Sequence, residues 1–222
     1  MLKGGEQMKI SDLIKGYGKF KDTKFKKYEN KFLDLVKNGQ HPKVLFIACS
    51  DSRVDPALIT NSSPGELFVL RNIGNFVPPF APDNDYHATA AGIEYAVSVL
   101  NVTDIIICGH SHCGAIETMY KKITDINLVH VKKWLELGLS AKNYVTQKLI
   151  SQNVSEAERL ELTEKISLLF QSKNLLTYPD VQRRVHDGEL FIRAWYYRLE
   201  TGELEYFNTE SGEFEPMIGA EG

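Results

Sequence analysis

The sequence predicts an α/β fold: a central, mostly parallel β-sheet flanked by helices, with an N-terminal helical arm and a C-terminal antiparallel edge hairpin. Three observations predict it. Short apolar runs at 44–49 (VLFIAC), 66–70 (ELFVL) and 104–108 (DIIIC) read as strands covered on both faces. The order strand, turn, helix, strand implies right-handed crossovers between parallel strands. Near the end, 190–199 (LFIRAWYYRL) and 203–207 flank Glu200-Thr201-Gly202, the pattern of a hairpin at a sheet edge.

Taken in order, residues 25–36 place apolar side chains at helical spacing and form part of an amphipathic arm covering 1–40. Three of the eight prolines fall in 72–85 (NIGNFVPPFAPDND), which is therefore a loop. The small and apolar residues of 88–100 predict a well-buried helix. Residues 132–149 and 155–176 are also predicted helical, the second capped by Ser155 with Glu158 three residues on. Gly16-Tyr17-Gly18 follows no strand and is too short for a phosphate loop. With no internal repeat or low-complexity tract, 1–222 reads as a single domain, a common size for one α/β core.

A net charge of −3 gives no case for nucleic acid or an anionic membrane as partner. No apolar stretch approaches the roughly 20 residues that span a bilayer. The start MLKGGEQMKI has no apolar signal core, so a cytoplasmic location is expected. The cysteines, Cys49, Cys108 and Cys113, are three in number, which disfavours a disulfide framework and directs attention to metal or thiol chemistry.

The chemistry concentrates where two predicted strands end. The first runs into CSDSR, with Cys49, Asp51 and Arg53 at alternate positions; the third runs into CGHSHCG, with His110 and Cys113. Ligands of open α/β sheets bind beyond the carboxyl ends of strands, so Cys49, His110 and Cys113 are expected to converge. Two thiolates and an imidazole suit zinc, and a catalytic zinc leaves its fourth position open. Asp51 and His112 are the candidates for a fourth ligand in a closed state; because Asp51 is already placed to pair with Arg53, an open or labile site is the better reading. Cys108, inside the apolar run, reads as core. For His112 the readings are an alternative ligand, a proton relay, or an exposed residue at a helix start, and the last is preferred because no partner is identifiable. A thiol nucleophile activated by His110 is a further reading, but it leaves the second cysteine and the aspartate unexplained.

These segments, with PGELFVLRNIGNFVPP, GIEYAV and LLTYPDV, resemble the β-class carbonic anhydrases over about 25–210. The resemblance implies an enzyme with one Zn2+ per subunit, held by Cys49, His110 and Cys113. It would interconvert carbon dioxide and bicarbonate by attack of zinc-bound hydroxide oriented by the Asp51-Arg53 pair. It also implies that Gln40 donates to a substrate oxygen, that Phe68, Ile73, Tyr95 and Gly114 line the substrate site, and that the chain forms a homodimer or homotetramer with the arm across a neighbour. Gln40, Phe68 and Tyr95 match the plant-like subgroup. The other subgroup has a tryptophan and a glycine just before the first cysteine, where this chain has Phe46 and Ala48, so no regulatory bicarbonate pocket is expected. Hydration of carbon disulfide or carbonyl sulfide on the same scaffold is a rival reading, and a closed structural zinc site is another.

Overall fold

The computed structural model describes residues 8–83 and 85–218; the first seven residues of the arm, Asn84 of the proline-rich loop and 219–222 lie outside the described residues. The chain divides into two compact units, 1–40 and 41–222. In the first, α1 (Ile10–Phe20) passes through a π-helical turn (Lys21–Phe25) into α2 (Lys26–Asn38), and none of these residues is buried. Phe25 stacks on Phe32, while Ile10, Leu13, Ile14, Leu33 and Val36 leave apolar surface facing solvent.

The second unit is built on a six-stranded sheet of order β2-β1-β3-β4-β5-β6. Its strands are β1 (Val44–Cys49), β2 (Leu67–Asn72), β3 (Asp104–His110), β4 (Phe191–Tyr197), β5 (Leu204–Asn208) and β6 (Glu213–Pro216). β1 to β4 are parallel and β4, β5 and β6 pair antiparallel. β1 and β3 are central and almost wholly buried, which is why their sequences run apolar without alternation. β2 departs from that expectation. It is an edge strand with one face partly exposed, Val69 among its open positions, so ELFVL is not covered on both faces. The antiparallel pairing of β4 with β5 is as expected, and the short, polar β6 extends the edge by one more strand.

The helices follow from local chemistry. α3 (Pro56–Ile59) is capped by Asp55, whose carboxylate accepts from the amides of Ala57 and Leu58. α4 (Ala88–Glu94) runs into a π turn (Tyr95–Val99); Gly92 lets it lie close on β2, since a Cβ there would stand 2.5 Å from a Leu70 methyl carbon. α5 (Gly114–Met119) leaves β3. The segment 132–149 is not one helix: α6 (Val129–Leu135) and α7 (Leu139–Lys148) are separated by a 3-10 turn (Glu136–Gly138). Gly138 sits at that break, buried where a Cβ would meet the Met119 sulfur at 2.4 Å, and glycine is a poor helix former. α8 (Glu156–Leu175) has the expected capping box from Ser155 and Glu158. α9 (Pro179–His186) was not expected, although Pro179 in its first turn is a start signal.

Among the described residues no helix is long and apolar enough to cross a membrane. α8 packs on β3 and β4 through a stripe that includes Glu164, Leu168, Gln171 and Leu175. Gln171 is satisfied there, accepting from the Val77 amide at 2.8 Å and donating to the Leu137 carbonyl at 3.2 Å. Leu168 is fully buried, with a methyl carbon 3.1 Å from where a Gly109 Cβ would lie. Leu168→Ala is expected to lower the stability measured by chemical denaturation by about 2–5 kcal/mol, without altering the order of the strands.

Candidate metal centre

β1 and β3 pair in parallel, with Ala48 opposite Cys108, so the two strands deliver Cys49 and His110 to the same end of the sheet. Past His110 the chain turns sharply. His112 takes a left-handed conformation (φ 57°), and Cys113 follows as the N-terminal cap of α5, returned beside His110. The donor atoms of Cys49, His110 and Cys113 all lie within 4.8 Å of one another, and all three residues are buried. A single ion with bonds of about 2.0–2.3 Å to nitrogen and sulfur can reach the three together.

The imidazole is set up to bind through one nitrogen. Nδ1 of His110 is 2.9 Å from the Ser111 carbonyl oxygen and donates to it, which leaves Nε2 with the lone pair. Nε2 is buried with no hydrogen-bond partner in the protein. A buried polar atom with no partner needs an explanation, and a metal supplies one.

The thiols are tuned by each other. With the ligands free of metal, the Cys113 thiol donates to the Cys49 sulfur, so Cys49 is held well below the usual thiol range and Cys113 is raised well above it. Burial opposes the drop at Cys49, while His110 and the backbone amides of Asp51 and Gly74 assist it. Burial by itself pulls His110 down, but the neighbouring Cys49 sulfur and its charge outweigh that and the net shift is upward. Cys108, fully buried in β3 with Phe46 and Ile106, is pushed up to about 12 by burial.

Asp51 is held elsewhere than on the three donors. Arg53 grips it twice, Nε to Oδ1 at 2.9 Å and Nη2 to Oδ2 at 2.8 Å, and the Arg53 amide adds a third bond at 3.0 Å. These bonds to Arg53 hold the carboxyl far below the ordinary carboxylate range. Nη2 of Arg53 also donates to the His112 carbonyl at 3.1 Å, tying the β1 turn to the β3 turn.

Several residues that sequence reasoning did not assign complete the site. Arg71 donates to the carbonyls of Cys49 (3.1 Å) and Asp51 (2.7 Å), fixing the backbone as it leaves β1. Gly74 (φ 76°) brings its amide to the Cys49 sulfur, where a side chain would strike Ala115 at 2.9 Å. Trp134 donates from Nε1 to the Ile73 carbonyl at 2.7 Å and so pins that same turn. Glu164, 5% exposed, accepts from the Cys113 amide at 2.8 Å and from the Tyr196 hydroxyl at 2.7 Å. No sequence signal reached Glu164, because it lies 51 positions from its partner.

One expectation needs correction. His112 is exposed at the start of α5, but it has a partner: Nε2 bonds the Glu200 carboxylate, and that carboxylate also accepts from Ser111 Oγ at 2.7 Å. Glu200 had been read as a turn residue alone. The substrate-lining candidates occupy separate places in the fold. Phe68 stacks with Tyr95 at 5.8 Å and packs on the core around Leu45 and Ile93. It stands four residues before Asn72, the register partner of Cys49, about 13 Å back along β2. Gly114 follows the ligand Cys113, Ile73 follows Asn72, the register partner of Cys49, and both are exposed; Gln40 is the exposed last residue of the first unit. Phe46 is fully buried, edge-on to Trp195 at 5.9 Å, with Ala48 in the same cluster.

The comparisons agree with the geometry. Residues 44–204 match the family described as carbonic anhydrase. The chain is 42% identical over 195 residues to a carbonic anhydrase of Synechocystis sp., covering 86% of this chain and 69% of that one. It is 37% identical over 201 residues to one of Helicobacter pylori, covering 89% and 90%. Among solved structures it is similar to the β-carbonic anhydrase CcaA, with a TM-score of 0.88, 37% identity and coverage of 95% and 93%. It is also similar to tetrameric β-carbonic anhydrases of Sordaria macrospora, with a TM-score of 0.79, 26% identity and coverage of 89% and 96%.

The thiol pairing predicts an order of reactivity. After removal of metal by a chelator, iodoacetamide should label Cys49 first and Cys108 last, and added zinc should protect Cys49 and Cys113; peptide mass mapping reads the order.

Proposed function

The chain belongs to the β-class carbonic anhydrases, and from that premise we propose how its own residues carry out the interconversion of carbon dioxide and bicarbonate. It is a zinc enzyme, and Cys49, His110 and Cys113 are the residues that would hold the ion. The observation that carries the reading is the unpartnered Nε2 of His110 between two buried cysteines. Zinc supplies acidity to a coordinated water, giving a nucleophile near neutral pH.

The remaining work falls to side chains. Asp51, ionised and clamped by Arg53, can only accept hydrogen bonds, so it takes the nucleophile's O–H and turns a lone pair toward the carbon of carbon dioxide. The paired hold of Arg53 on both carboxylate oxygens favours an Asp51 that orients the nucleophile over one that would ligate the metal, which is the arrangement expected of the plant-like subgroup. Gln40 donates its amide to the substrate oxygen on which charge develops. Phe68, Ile73 and Tyr95, with Gly114 at the start of α5, provide an apolar approach for a nonpolar gas.

That approach is formed between subunits. Phe68 lies too far back along β2 to reach the zinc of its own chain, Tyr95 stacks on it, and Tyr95, Val99 and Leu58 expose apolar surface. The apolar face of α1 and α2, with no buried residue of its own, supplies further area for a second copy. The tetrameric neighbours support a homodimer or homotetramer. The centre needs reduced cysteines, and Cys49, Cys108 and Cys113 are all free thiols, which favours a reducing compartment such as the cytoplasm.

Asp51→Asn and Arg53→Ala should retain zinc but lose at least about tenfold in carbon dioxide hydration. Stopped-flow rates with zinc content measured alongside check this, and full activity in both variants would contradict the orienting role. Sedimentation at micromolar concentration should show a dimer or larger, and a lone 25 kDa species would contradict the shared site.

A further inference from the structure

From its two hydrogen bonds we infer that Glu164 is a positioning residue that fixes the second thiolate of the zinc centre, acting through the backbone of Cys113. The inference rests on the zinc reading given above. Cys113 caps α5, so its amide has no place in that helix's own ladder. Cys113 is buried, and the residue before it, His112, is left-handed. A buried N–H needs a partner, and Glu164 Oε1 supplies it from α8 at 2.8 Å.

The carboxylate is itself held. Its other oxygen accepts from Tyr196, a fully buried side chain on β4. The Tyr196 ring lies under Lys165 at 5.0 Å and Arg198 at 5.6 Å, and both cations are tied to Glu161 and Glu205. The result is a chain of contacts from the charged cluster of Glu161 and Lys165 on α8, Arg198 just past β4 and Glu205 on β5 to the ligand's backbone. Glu164 has no role in the orienting chemistry of Asp51, and burying a carboxyl is costly without purpose. Its two bonds define that purpose: Cys113 is fixed by α8 through its amide, whereas Arg53 holds the preceding residue through the His112 carbonyl.

The zinc-loaded full chain tests this with Glu164→Gln, Glu164→Leu and Tyr196→Phe. Two measurements apply: the half-time of zinc release to excess chelator, and the thiolate-to-cobalt absorption band of the cobalt-substituted protein. Glutamine keeps an acceptor for the Cys113 amide and should stay within about threefold of the wild-type release rate with an unchanged band, whereas leucine should release zinc at least about tenfold faster with an altered band. Tyr196→Phe should fall between them. Wild-type release and an unchanged band in Glu164→Leu would overturn the inference, as would equal impairment of the Gln and Leu variants. Should Glu164→Leu fail to fold, Tyr196→Phe decides: faster release than Glu164→Gln supports the inference, and a wild-type rate overturns it. A wild-type chain that takes up neither metal overturns the zinc reading and this inference with it; variants that match a metal-loaded wild type overturn this inference alone.

Discussion

The parallel pairing of β1 with β3 is the constraint from which the site follows. It holds Cys49 and His110 at one level at the carboxyl end of the sheet, and the turn through His112 then has only to bring Cys113 back. A shift of one residue would move every side chain of the strand to the opposite face, so Cys49 would leave the site and Leu45 and Ile47 would exchange packing layers with Phe46 and Ala48. Both strands are buried on both faces, and that burial fixes the register. The core and the metal ligands are thus specified by the same contacts.

Around that frame each ligand is held by a different part of the chain. Cys49 is fixed by Arg71 on β2 and by the Gly74 turn, itself pinned by Trp134 on α6. His110 is oriented by the carbonyl next to it, and Cys113 by Glu164 on α8. Arg53 joins the two turns while gripping Asp51. Three donors fixed from separate elements cannot relax together, so the site is rigid and a carboxylate beside it can stay uncoordinated.

What could be read from the sequence was what depends on short range. β1 and β3 announced themselves because burial on both faces removes alternation, and Ser155 with Glu158 marked the start of α8 to the residue. Cys49, His110 and Cys113 were legible because they follow strands at short offsets. β2 was misjudged because an apolar run does not say whether a strand is central or at an edge. The break at Gly138 was missed because it answers to Met119 and Phe76, far off in sequence. Glu164, Arg71 and the Glu200 partner of His112 were out of reach for the same reason: each is defined by a contact 20 or more positions away.

The central claim is that zinc sits on three protein ligands while Arg53 keeps Asp51 off it. A crystal structure of the zinc-loaded enzyme, with anomalous scattering at the zinc edge, tests it most directly. The account predicts zinc on Cys49, His110 and Cys113 with Asp51 still bidentate on Arg53. A zinc ion whose fourth ligand is the Asp51 carboxylate, with Arg53 released, would contradict it.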